Sequence, residues 1–196
     1  MLRKDVRFDD PGPPVTGEDL AALQAELGGI TLPLDHARYL LRFNGASPHI
    51  ARPDPHKSQL LRIWWPADTA ADASDHIGLL GSLLEVNGRP AKGPDLLQTQ
   101  RTIGHLLPPS TLVFADAAGG SRFLFDLRAD RFGQVLFWNH LAIGDDDTFA
   151  ANPYHNVGWV AHDFIDFINR IEVEPDDWNA WEAALPPDAD LDWRSR

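Results

Sequence analysis

Three strand-like runs lie so close together in the second half of the chain that only one kind of connection fits between them. Thr111 to Asp116 (TLVFAD), Arg122 to Leu127 (RFLFDL) and Gln134 to His140 (QVLFWNH) are rich in aromatic and β-branched residues. Ala117-Ala118-Gly119-Gly120 separates the first pair, and a short stretch ending at Gly133 separates the second. A parallel crossover needs about a dozen residues or more, so these runs predict an antiparallel meander. In the middle run Phe123, Phe125 and Leu127 alternate with Arg122, Leu124 and Asp126, the period of a half-buried strand.

Helical patterns flank this core. Thr16 precedes a helix with Glu18 and Asp19 in its first turn, Leu20, Leu23 and Leu27 on one face, and Gly28-Gly29 as its stop. A second helix opens at Thr31-Leu32-Pro33 with Pro33 at N1. Leu34, Ala37, Leu40, Leu41 and Phe43 form its expected apolar face, and Asn44-Gly45 ends it. Residues 46–58 hold three prolines and read as loop, and Gln59 to Trp65 reads as a strand stopped by Pro66. Residues 67–84 are open, with Ile77, Leu79, Leu80, Leu83 and Leu84 as buried candidates. Asn87-Gly88 reads as a turn, and Asp95 as the cap of a short helix ending before Pro108-Pro109.

After the meander, residues 145–154 read as an acidic loop. Val157, Val160, Ala161, Phe164, Ile165, Phe167, Ile168 and Ile171 then form the stripe of one amphipathic helix that Pro175 breaks. Asp176 to Leu185 reads as a last helix, with Trp178, Trp181 and Leu185 at helical spacing. The fold class expected is α+β, an antiparallel meander packed against N-terminal helices and a C-terminal amphipathic helix. Residues 1–15 are expected to be an irregular lead-in, 16–172 the domain, and 173–196 an acidic, tryptophan-containing extension.

With 196 residues and 43% hydrophobic content, one domain with appendages is the expectation. The chain has no apolar run near the ~18 residues a membrane helix needs. The residues before Pro14 include Arg3, Lys4 and Arg7 but no apolar h-region of a secretory signal. Cysteine is absent, which excludes disulfides, Cys-ligated zinc and a thiol nucleophile, and fits a cytoplasmic location. No heptad seam is visible, so a monomer is expected.

The formal charge of −12 is uneven. Residues 1–140 hold 16 acids and 14 bases, a net −2; residues 141–196 hold 13 acids and 3 bases, a net −10. A field of that sign repels phosphate backbones, which argues against direct nucleic-acid binding, and attracts basic proteins. It also serves plain solubility. If it marks a partner surface, the contact residues are Asp145, Asp146, Asp147, Asp176, Asp177, Trp178 and Trp181. The tryptophans at 178, 181 and 193 either dock a last helix onto the domain or act as interface anchors.

Signatures of chemistry are missing. No phosphate-binding glycine loop, nucleophile elbow or H-E-x-x-H motif occurs. His49, Asp54 and His56 share a proline-rich loop that lacks the rigid scaffold a zinc site needs. Asp145-Asp146-Asp147 lacks the alternating spacing of a calcium loop. Asp116 and Asp126 flank the Gly-Gly reversal, where carboxylates accept turn N–H groups more often than they act as an acid/base pair. A hydrolase with dispersed residues, using His140, Asp116 and Asp126, is the enzymatic alternative. No cofactor or metal is expected.

The order of the segments resembles the SUKH superfamily, which includes fungal cell-wall-assembly regulators and many bacterial immunity proteins. Leu32-Pro33 through Tyr39-Leu40-Leu41 to Asn44-Gly45 is similar to the family's opening helix segment. Val113-Phe114-Ala115-Asp116 with Gly119-Gly120 and Phe123 to Leu127 is similar to its hairpin, Gly133 to His140 to its "G-x-V-x-x-W-x-H" strand, and Phe164 to Ile168 to its closing helix. The resemblance spans roughly residues 17–172; His36 stands where a tyrosine is frequent, residues 45–110 have no clear counterpart, and residues 173–196 lie outside it. It implies a non-catalytic binding protein, often one that neutralises a co-encoded toxin, frequently a nuclease, by occluding its active site. A regulatory or scaffolding domain of the same fold with a housekeeping partner is the alternative.

Overall fold

The computed structural model describes residues 1–51, 60–64, 77–88, 95–144 and 146–174. The three runs of the meander are strands β5 (Thr111–Ala117), β6 (Arg122–Asp126) and β7 (Val135–Trp138). They pair antiparallel, with Val113 opposite Leu124 and Phe123 opposite Phe137. Two further strands, β3 (Leu61–Trp64) and β4 (Ile77–Leu83), extend this sheet on one side. With β8 (Val157–Ala161) and β9 (Ile171–Val173) at its edges, the sheet runs β8-β7-β6-β5-β4-β3-β9, every pair antiparallel. Both faces of its centre are covered, since Phe123, Leu124, Phe125 and Asp126 are all fully buried. The hydrophobic-in, polar-out alternation expected for β6 therefore fails, and only Arg122 keeps partial access to solvent.

The helices form where capping chemistry allows. Helix α1 (Gly17–Glu26) opens with a capping box in which Thr16 accepts from the Asp19 N–H and the Asp19 carboxylate accepts from the Thr16 N–H. Helix α2 (Leu34–Phe43) takes Pro33 as its N-cap rather than N1, because the Pro33 carbonyl already accepts from the Ala37 N–H. Asn44 ends it in the left-handed region at φ 37°. The Asn44 amide then ties three segments together. It donates to the carbonyls of Val86 and Pro13 at 2.9 and 2.7 Å and accepts from the Val86 N–H at 2.7 Å. Gly45 follows at φ 78°, and a Cβ there would lie 2.3 Å from the Glu85 side chain. Helix α3 (Leu96–Ile103) starts at Asp95, which accepts from the Gln98 N–H. Its Gln100 accepts from the Val113 N–H, where β5 extends beyond its pairing with β4.

Further expectations need correction. Residues 1–15 are not simply irregular: β1 (Val6–Asp9) pairs antiparallel with β2 (Ser47–Ile50), which lies in the stretch read as loop. Pro48 disguised β2, but a proline fits a two-stranded edge ladder where no second neighbour needs its N–H. The face of α2 is also rotated. Leu34 is 64% and Leu41 46% exposed, while His36, Tyr39 and Leu40 are buried. The stripe from Val157 to Ile171 is no single helix but β8, a short helix α5 (Phe164–Asn169) and β9. Asp163 caps α5 by accepting from the Asp166 N–H, and the preceding Val157-Gly158-Trp159-Val160 pairs with β7. Spacing alone cannot separate these, because 157, 160, 164, 168 and 171 fit a helix while 158 and 160 fit the buried side of a strand. Finally, the acidic loop contains helix α4 (Asp146–Ala151). The last helix expected at 176–185 lies outside the described residues.

The face of the sheet that carries Phe114, Phe123 and Phe125 receives α2 and α5. Phe167 meets Phe114 and Phe123 edge-on at 5.1 and 5.0 Å, and Phe164 lies 5.0 Å from Tyr39. This pairing of helices positions the surface described next.

Candidate functional site

Helix α2 shows two charged residues to solvent, Arg38 and Arg42, one turn apart. Beside them Tyr39 and Phe43 turn inward toward α5 and toward Phe8 of β1. Phe8 packs 4.7 Å from Phe43 and 5.2 Å from Tyr39, centroid to centroid. Leu2 from the amino-terminal stretch, with Phe164, Ile165 and Ile168 from α5, completes an open groove of about 200 Å³. Its floor is apolar and aromatic, and Asp35, Arg38 and Arg42 stand on its rim. Asp35 pairs with Arg38 at 3.2 Å. The Arg42 guanidinium lies 5.0 Å over the Phe43 ring.

The groove floor is tied to neighbouring segments by hydrogen bonds. The Tyr39 hydroxyl donates to the Ala46 carbonyl at 2.7 Å, and burial, reinforced by Glu85, pushes its pKa up. Arg3 anchors the amino-terminal edge by donating to the carbonyls of Asn169 and Ile171. Beneath the groove His36 is fully buried among Phe125, Phe164 and Phe114, with centroids 4.9, 5.2 and 5.7 Å away. Neither ring nitrogen has a hydrogen-bond partner, and burial lowers its pKa to about 3, so the ring is neutral at physiological pH.

Of the residues weighed for catalysis, Asp116 and Asp126 are each engaged by an arginine. Asp126 is fully buried and accepts from the Arg128 N–H and from its guanidinium, which holds the β6–β7 turn. That hydrogen bond raises the Arg128 pKa, and the guanidinium lies 4.3 Å over the Tyr154 ring. Asp116 pairs with Arg122 at 3.3 Å at the other end of the β5–β6 ladder. Arg122 and Asp126 are four residues apart along β6, roughly 13 Å at the rise of a strand, so the two carboxylates form no acid/base pair. His140 is exposed and its ring lies 5.5 Å from Trp138 and against Gly120. His155 engages the Asn152 and Ala142 carbonyls, and His162 packs on Trp159. The described residues hold no group of three or more His, Asp or Glu placed for a metal ion. His49 lies in β2 opposite Arg7, while Asp54 and His56 are outside the described residues.

Of the acidic contact candidates, Asp146 opens α4 and Asp147 is exposed on it; Asp145, Asp176, Asp177, Trp178 and Trp181 lie outside the described residues. Arg38, Arg42, Phe8 and Phe164 were not visible as a group in the sequence. The available signal was the second helical face of α2, on which His36, Tyr39, Leu40 and Phe43 fall together. Among the described residues no helix is long and apolar enough to cross a membrane.

What this arrangement can do chemically is bind. It offers an apolar hollow for a large side chain and two guanidinium groups for carboxylates beside it. No curated protein and no solved structure matches the chain. A family model does match, over residues 14–170, from just before α1 to the end of α5. The chain therefore belongs to the SMI1 / KNR4 family (SUKH-1).

Proposed function

We propose that this protein is a non-catalytic binding protein that neutralises a cognate toxin, a nuclease, by covering its active site. The observation that carries this reading is the family match across residues 14–170. Two features support it. Asp116 and Asp126 are each engaged by an arginine and stand apart, which leaves the enzymatic alternative without its central pair. The net −10 over residues 141–196 suits a partner with the basic cleft that a nuclease needs to hold its substrate backbone. Asp145, Asp146, Asp147, Asp176 and Asp177 supply the charge, and Trp178 and Trp181 supply the anchors. The protein acts in the cytoplasm as a monomer and contacts neither nucleic acid nor membrane.

The test is co-purification with the product of the adjacent gene, followed by stopped-flow association across a salt series. The association rate falls by about tenfold or more as salt rises well beyond 0.15 M, where the Debye length is about 8 Å. Reversing the charge of the five aspartates lowers it to the high-salt value. Association that ignores both salt and these reversals refutes the electrostatic surface. A partner with a housekeeping role, captured in place of a toxin, moves the protein to the regulatory branch of the family.

A further inference from the structure

The groove between α2 and α5 has no covering element among the described residues, yet Phe8, Tyr39, Phe43 and Phe164 line its floor. Its volume of about 200 Å³ exceeds the roughly 150 Å³ cavity that admits benzene, so one aromatic side chain fits. The described chain ends at Glu174, whose N–H donates to the Leu60 carbonyl. Glu174 is six residues beyond Ile168, which lines the groove, a distance of at most about 20 Å along extended chain. Trp178 and Trp181 follow four and seven residues later and add up to about 14 and 25 Å of reach. The 22 residues after Glu174 carry six carboxylates and two arginines, opposite in sign to Arg38 and Arg42.

We propose that the groove docks this chain's own C-terminal segment, residues 175–196, with an indole of Trp178 or Trp181 on the aromatic floor and Asp176 and Asp177 on Arg38 and Arg42. Size, reach and charge agree on this occupant. An aromatic anchor in an apolar pocket with a charged rim is also the arrangement that concentrates binding free energy. Docking would set a basic partner in competition with Arg38 and Arg42 for the same two carboxylates, which makes the groove a device that tunes access to the tail. The docking itself is independent of what the partner is.

The chain contains no cysteine, so Ala180→Cys gives a single attachment point for a nitroxide on the full-length protein. In the labelled protein the amide signals of α2, from Arg38 to Phe43, lose most of their intensity. Arg38→Glu with Arg42→Glu restores them, and adding Asp176→Lys with Asp177→Lys to that variant brings the loss back. Trp178→Ala with Trp181→Ala also restores them, and in every variant the signals of β5 to β7 stay in place as a control for folding. Unbroadened α2 amides overturn the docking, and broadening that survives both the arginine reversal and the tryptophan substitutions overturns the contacts assigned to it. Broadening that appears only between labelled and unlabelled copies in a mixture assigns the groove to a second copy instead. No partner is present in these samples, so their outcome is separate from that of the toxin experiment.

Discussion

Replacing His36 with leucine tests whether the packing beneath the groove is dry and unpaired. His36 is fully buried, ringed by aromatic side chains and without a hydrogen bond to either nitrogen. Its pKa is about 3 in the folded protein, against about 6.5 in the unfolded chain. Between those values the unfolded chain binds one proton more than the folded one. Stability is therefore complete above pH 6.5 and falls as pH drops, by about 1.4 kcal/mol per unit. At pH 5 the loss is about 2 kcal/mol, and it approaches about 5 kcal/mol near pH 3. Leucine cannot titrate, so the variant lacks this slope. At pH 8 it also escapes the cost of two unpaired buried nitrogens, about 1–3 kcal/mol, and gives up ring contacts of about 0.5–1.5 kcal/mol. The net expectation is a His36→Leu protein about 1 kcal/mol more stable than the parent at pH 8 and about 3 kcal/mol more stable at pH 5. Urea unfolding of both proteins at pH 8, 6.5 and 5 measures the gap, and every other titrating group cancels in the difference. A gap that is the same at pH 8 and pH 5 refutes the reasoning, because it means His36 takes up a proton in the folded state as readily as in the unfolded one.

Two further substitutions probe the scaffold that holds the groove. Asn44→Ala removes three side-chain hydrogen bonds to Val86 and Pro13 and places alanine in the left-handed region; about 3 kcal/mol or more is lost in chemical denaturation, and Asn44→Gly recovers only the backbone share of about 1 kcal/mol. Arg128→Leu strands the Asp126 carboxylate in the core and costs about 3–5 kcal/mol in thermal unfolding, whereas Asp126→Asn leaves only the half-exposed guanidinium unpaired and costs less.

Much of the scaffold was legible because local chemistry dictates it. Thr16, Asp95, Asn44-Gly45 and Gly119-Gly120 sit where caps and reversals demand their side chains or their positive φ, and the meander between Thr111 and Trp138 follows from loop length alone. The failures arise where two periods coincide or where partners lie far away in sequence. Val157 to Ile171 satisfies a helical stripe on paper, but pairing of Trp159 with Leu136 and of Ile171 with Ile63 across the sheet decides the outcome. Val6–Asp9 and Ser47–Ile50 are four residues each, and neither is a convincing strand until the other is beside it.

Helix α2 shows why the candidate site was harder to read than the fold. Its sequence LDHARYLLRF offers two apolar faces, one through Leu34 and Leu41 and one through His36, Tyr39, Leu40 and Phe43. Counting histidine as polar favours the first. The aromatic surroundings meet the second, where Tyr39 packs on Phe8 and Phe164 and donates to the Ala46 carbonyl, contacts that the Leu34 and Leu41 face could not make. That rotation puts Arg38 and Arg42 on the rim of a groove and leaves Leu34 and Leu41 in solvent. The residues that carry the family resemblance are meanwhile committed to structure: Asn44 to a cap and three bonds, Gly119 to a turn, Asp126 to a buried pair, Phe164 and Phe167 to the core. None of these five projects a reactive group toward solvent, whereas His140, at the end of the matched strand segment, is exposed. On the proposed binding reading, a partner would meet the exposed positions between the motifs, through charge and shape on the helical faces rather than through the residues that define the fold.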